Sequence, residues 1–102
     1  MLMKYLKNDE NPGKRIIITV IGPDRVGIIA GVTGILAANS FNILDISQTI
    51  MQEFLVMVLI VDSENSSLDL AMLKDRLAAK GTELGVRIDA QHEDAFKFMH
   101  RL

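Results

Sequence analysis

Apolar residues change their spacing several times along the chain, and each change marks an element. Ile16-Ile17-Ile18-Thr19-Val20-Ile21 is β-branched at every position and ends at Gly22-Pro23, which predicts a strand apolar on both sides and therefore central in its sheet. From Asp24 the period lengthens: Ile28, Ile29, Val32, Ile35 and Leu36 recur at helical spacing until Asn39-Ser40 closes the segment. Phe41 to Met51 returns to strand character. Asp45, Ser47, Gln48 and Thr49 interrupt its apolar residues, as in an edge strand with a polar side. Gln52-Glu53 then turns into Phe54-Leu55-Val56-Met57-Val58-Leu59-Ile60-Val61, bounded by Asp62, a second central strand.

Ser66-Ser67-Leu68-Asp69 can cap a second helix, whose Leu70, Leu73, Leu77 and Leu84 share one stripe before Gly85 stops it. Gly81 inside that helix costs up to about 1 kcal/mol against Ala, which predicts a loose or kinked last turn. Val86, Ile88 and Ala90 alternate with Arg87, Asp89 and Gln91, a second edge strand with one wet face. Ala95 to Met99 predicts a short closing helix that presses Phe96 and Met99 down on one face. The order βαββαβ, with two apolar and two half-polar strands, predicts an α+β, ferredoxin-like sandwich: a four-stranded antiparallel sheet with two helices on one face. Asn8-Asp9-Glu10-Asn11-Pro12-Gly13-Lys14 is polar and ends in turn formers, so residues 1–14 read as a flexible lead and residues 15–102 as a single domain. A chain of 102 residues leaves no room for a second core.

Composition narrows the chemistry. Hydrophobic residues make up 49% of the chain and charged residues 24%, the balance of a soluble globular domain. A net charge of -2 and no clustered Lys or Arg give no general attraction for nucleic acid. Cysteine is absent, which removes disulfides, thiolate nucleophiles and thiolate metal sites. His92 and His100 read as solvated surface residues rather than metal ligands, and no cofactor is expected. Met1 to Lys7 holds no signal-peptide core and the later apolar runs have strand length, so the expected location is the cytoplasm, away from membranes.

This architecture hosts many unrelated activities. A metallochaperone of this topology needs cysteines in its first loop. An RNA-recognition domain needs aromatics on its central strands, where this chain has only Phe54 at the start of one of them. An acylphosphatase needs an arginine a few positions beyond its glycine loop, where this chain has Ala30 and Gly31. What remains is Gly22-Pro23-Asp24-Arg25-Val26-Gly27-Ile28, followed after one helix by Ser40-Phe41-Asn42-Ile43. Here the sequence resembles the ACT domain family, whose pattern joins a strand, an Asp/Asn-Arg-x-Gly-hydrophobic loop, a helix and an Asn-Ile pair opening the second strand. The resemblance spans Arg15 to about Gln91. It is strongest to stand-alone small ACT proteins and to the ACT segments of glycine-cleavage regulators and formyltetrahydrofolate deformylases.

The resemblance implies a non-catalytic regulatory domain that binds a small ligand, an amino acid by preference, at a homodimer interface and signals to a metabolic enzyme or regulator. The site it marks comprises Gly22, Asp24, Arg25, Val26, Gly27, Ile28 and Asn42. The loop chemistry agrees. Gly27 leaves backbone N–H groups uncovered at the positive end of a helix, a place that suits a carboxylate. Asp24 has two readings, helix cap or ligand contact; Arg25 is a solvated charge or an anion contact; Asn42 is a strand-start hydrogen bonder or a ligand contact. Gly31, Gly34 and Ala38 read as a smooth face for close helix packing. No serine lies near a histidine in sequence, and adjacent Glu93 and Asp94 point apart on a helix, so no catalytic pairing emerges. The alternatives are a protein-interaction module without a ligand and, less favoured, an acylphosphatase-like hydrolase.

Overall fold

The computed structural model describes residues 14–99. The lead expected over residues 1–14 lies outside the described residues except for Lys14, and so does His100. The elements are β1 (Arg15–Pro23), α1 (Ile28–Ala38), β2 (Asn42–Met51), β3 (Phe54–Asp62), α2 (Leu70–Leu84), β4 (Arg87–His92) and α3 (Glu93–Met99). The strands form one antiparallel sheet in the order β2-β3-β1-β4. The two apolar runs are central and the two interrupted ones are edges, as their side-chain patterns require.

One face of the sheet carries the core. Ile16, Ile18 and Val20 of β1 and Leu55, Met57, Leu59 and Val61 of β3 meet Ile28, Val32 and Leu36 of α1 and Leu73 and Leu77 of α2. On the opposite face Ile17 and Ile60 are also shut from solvent, whereas Ile21 is 48% exposed. The short α3 lies against this second face: its Phe96 and Met99 share a groove with Ile17, Thr19, Ile21 and Val58. Its first residue, Glu93, is buried with Arg15, Arg15 Nε standing 3.3 Å from Glu93 Oε2, and Lys97 Nζ lies 2.8 Å from Glu93 Oε1. In sequence both Arg15 and Glu93 stand at polar margins. The topology makes them neighbours, because β1 pairs with β4 and brings Ile16 opposite His92.

Each helix ends by a definite device. At the end of α1, Ser40 takes φ 63°, its N–H donates to Ala37 O at 3.3 Å, and Phe41 N–H donates to Leu36 O at 3.0 Å, a Schellman closure. Asp69 caps α2 as expected, its Oδ1 accepting from Met72 N at 2.8 Å. Gly85 closes α2 at φ 75°.

Two glycine expectations change. α2 runs without interruption to Leu84, so Gly81 neither loosens nor kinks it. Gly81 is there for space: a Cβ at that position would stand 2.7 Å from Val86 O and 3.3 Å from Ile88 Cγ1. On α1, Gly31 packs closely on α2, a Cβ there meeting Leu84 Cδ1 at 3.1 Å, but Gly34 faces open space. The smooth face is therefore confined to the single turn that touches α2.

These two environments set opposite outcomes for one substitution. Gly81→Ala gains helix propensity of up to about 1 kcal/mol but drives a methyl into a backbone carbonyl, so a net loss of about 1–3 kcal/mol is expected. Gly34→Ala collects the propensity gain alone, about 0.5–1 kcal/mol. Urea unfolding of the two variants checks the pair, and equal effects would contradict this account of Gly81.

Candidate functional site

The Gly22–Ile28 segment leaves the sheet at the end of β1 and enters α1. Gly22 is buried, and a Cβ added to it would lie 2.8 Å from Val86 Cγ1 and 3.0 Å from Val86 Cα; only glycine lets the end of β1 pass the start of β4. Asp24 N–H donates to Glu53 O at 2.9 Å, tying the loop to the turn between β2 and β3. Val26 stands fully in solvent at the loop tip. Gly27 adopts φ 93°, is itself the N-cap of α1, and its carbonyl accepts from Gly31 N at 2.8 Å.

α1 therefore starts without a side-chain cap. Asp24 does not fill that role: the cap falls at Gly27, and no side chain makes a hydrogen bond to the first N–H groups of the helix. The first N–H groups of α1 are left at the positive end of the helix dipole, in a loop whose tip is exposed. That is a chemical preference for an anion, above all a small carboxylate.

Arg25 is not poised over those N–H groups. Its guanidinium lies against Gly85, within 3.4–3.7 Å of where a Cβ of that glycine would be. There it sits over the C-terminal turn of α2, whose carbonyl dipoles favour a cation.

Asn42 lies elsewhere. It pairs with Asp62 at one end of β3, whereas Pro23 pairs with Phe54 at the other. Eight residues of strand separate these ends, about 27 Å. Within one chain the structure brings Gly22, Asp24, Val26, Gly27 and Ile28 together and leaves Asn42 at the far end of the sheet. The groove beneath α3, about 590 Å³ and rimmed by Arg87, Asp89 and Gln91, contains no residue of the loop. Among the described residues no three His, Asp or Glu side chains gather as a metal site, and no helix is long and apolar enough to cross a membrane.

Comparison with known proteins identifies the family and the fold. A family model described as "ACT domain" matches residues 14–91. The UPF0237 protein of Methanocaldococcus jannaschii is 52% identical over 88 residues, covering 86% of this chain and 98% of that protein. Among solved structures, an ACT domain protein from Streptococcus pneumoniae superposes with a TM-score of 0.72 at 40% identity, covering 81% of this chain and 93% of that one. A formyltetrahydrofolate deformylase from Pseudomonas syringae pv. tomato reaches the same TM-score of 0.72 at 20% identity, covering 88% of this chain and 31% of that one. This last likeness is one of fold.

The two loop glycines are required for different reasons, and substitution separates them. Gly22→Ala overpacks Val86, with an expected loss of about 1–3 kcal/mol. Gly27→Ala has open space around it but places an L-residue at positive φ, with an expected loss of about 1–2 kcal/mol. Adding Val86→Ala should recover part of the first loss and none of the second in thermal unfolding.

Proposed function

Since the chain belongs to the ACT domain family, we propose that it is a non-catalytic regulatory module that binds a small carboxylate ligand, an amino acid foremost, at the interface of a homodimer. The observation that carries this reading is the start of α1: a glycine N-cap at positive φ, no capping side chain, and an exposed loop around it. A ligand carboxylate supplies the acceptor that the sequence withholds there. Arg25, drawn to the end of α2, is not placed to clamp a phosphoryl group, which weighs against the acylphosphatase alternative.

The dimer explains Asn42. β2 is an edge strand from Asn42 to Met51, and Ile46 and Ile50 on it are 41% and 55% exposed. An unpaired edge with apolar side chains is a template for a second strand. A two-fold axis normal to the sheet pairs β2 antiparallel with its copy, giving eight strands in one sheet. Antiparallel pairing carries the partner's Asn42 to the Met51 end of β2, which is the end where Pro23 pairs with Phe54. The loop of one protomer and the partner's Asn42 then belong to one end of a shared sheet. Ligand binding and assembly are thermodynamically linked in such a site, which gives the module a means of signalling to an enzyme or regulator bound to the dimer.

Light scattering should give a dimer at micromolar concentration. A thermal-shift series of amino acids should find a saturating stabiliser, adding about 2.7 kcal/mol at a hundred times its dissociation constant. In calorimetric titration Gly27→Val should abolish that binding, and Asn42→Ala should weaken it by about 1–2 kcal/mol, both variants staying folded by circular dichroism. If a ligand of the wild type binds both variants unchanged, the site is elsewhere. A dimer that none of the amino acids stabilises would favour the interaction-module reading.

A further inference from the structure

The outer face of the sheet, turned away from α1 and α2, is covered unevenly. Towards the loop it is open, with Ile21 48%, Phe54 55% and Met51 59% exposed. Towards the start of β1 it is closed: Arg15, Ile17, Ile60, Asp45 and Glu93 are all buried, and Asp45 Oδ2 has lost its accessible surface altogether. α3 accounts for part of this. It is seven residues long, about 10 Å, and packs on β1 and β4, which puts Ile17 and Glu93 beneath it. Asp45 lies on β2, two strands away from β1 and beyond Ile60, about 10 Å across the sheet. β2 is an edge, and the residues that follow Asp45 on it, Ile46 to Met51, are exposed. A carboxylate in such a place points into water unless other atoms of the chain lie over it.

We infer that residues 1–7, Met1-Leu2-Met3-Lys4-Tyr5-Leu6-Lys7, fold back across the outer face and close it over Ile60 and Asp45, in place of the free lead that the polar stretch behind them suggests. Their reach is sufficient. Asn8 to Lys14 can span at most about 25 Å, and Asp45, two residues along β1 and two strands across from Arg15, is only about 12 Å from the start of β1. Their chemistry fits as well. Met1, Leu2, Met3, Tyr5 and Leu6 supply apolar side chains for a face whose Val56 and Val58 are half-buried. Lys4 and Lys7 bring positive charge to Asp45 and Asp62, neither of which has an ion-pair partner among the described residues. The other end, His100-Arg101-Leu102, offers one aliphatic side chain and continues from α3 on the β1 and β4 side. The segment acts as a built-in occupant of an apolar sheet surface, and keeps a second copy or a foreign chain from packing on it. This cover is independent of the ligand and of the β2 pairing proposed above.

Tyr5 is the one tyrosine of a chain without tryptophan, so its fluorescence reports on the segment without background. In the full chain acrylamide should quench Tyr5 at least about threefold less than in the urea-unfolded chain. The double variant Leu2→Asp with Leu6→Asp, folded by circular dichroism, should bring quenching close to the unfolded value. The chain has no cysteine, so Asp45→Cys gives a second reading: its thiol should be labelled at least roughly tenfold faster when the two Leu substitutions are added, and should stay protected when Leu102→Asp is added instead. Thr49→Cys, exposed on the same face, should be labelled at one rate in every background. If Asp45→Cys does not fold, the Tyr5 measurement on the unaltered chain decides. Tyr5 quenched as freely in the folded chain as in urea, or a thiol at position 45 released by Leu102→Asp rather than by the Leu2 and Leu6 substitutions, would overturn the inference.

Discussion

Val86 is the point on which the architecture turns. Two residues, Gly85 and Val86, separate the end of α2 from the start of β4, and Val86 is clasped by glycines on both sides: its carbonyl oxygen fills the place of a Cβ on Gly81, and its side chain fills the place of a Cβ on Gly22. Val86 N–H also donates to Gly81 O at 2.9 Å, so the same residue is held by a hydrogen bond and by steric exclusion. Through this contact the end of β1 is fixed against the α2–β4 turn, and with it the direction in which the chain enters the loop. Gly85 in the left-handed region starts the turn, and Arg25 lies across it. The loop that begins α1 is therefore positioned by the second half of the chain, more than fifty residues away, although its own sequence determines its backbone shape.

The glycines show how far local rules reach. Read one position at a time, Gly81 is a weak point in a helix and Gly34 belongs to a packing face; in the fold Gly81 is indispensable room and Gly34 borders nothing. Propensity describes the isolated helix, whereas both outcomes depend on what a different element brings alongside. The strands are more legible because each rests on a long run. Eight consecutive apolar residues from Phe54 to Val61, or the β-branched stretch from Ile16 to Ile21, leave little freedom about which strands lie in the middle of the sheet.

The site divides along the same line. Glycine at positive φ and an anion-seeking helix start are properties of neighbouring residues, and the Gly22–Ile28 segment carries them in its own sequence. Asp24 and Arg25 are ambiguous there because their partners, Glu53 and the end of α2, come from other parts of the chain. The Arg15–Glu93 pair, 78 positions apart in sequence and buried together, leaves no local signal. It emerges only from placing the first and last strands side by side and counting register. The position of Asn42 follows from the same exercise, since two antiparallel hops from β1 through β3 to β2 restore the direction of β1 and put the start of β2 at the Arg15 end of the sheet, away from Pro23.

That adjacency of first and last strands bears on how such a unit can be used. Ile16 lies opposite His92, so the chain enters and leaves the sheet at one pole, while the Gly22–Ile28 loop occupies the other. Attachments made at the first pole lie a strand's length from the loop. A unit wired in this way can be spliced into an interdomain linker, or joined end to end and reopened elsewhere, with the pole that holds the Gly22–Ile28 loop undisturbed. The geometry is that of a plug whose contacts are at one end and whose cable is at the other, suited to being moved between hosts as a unit.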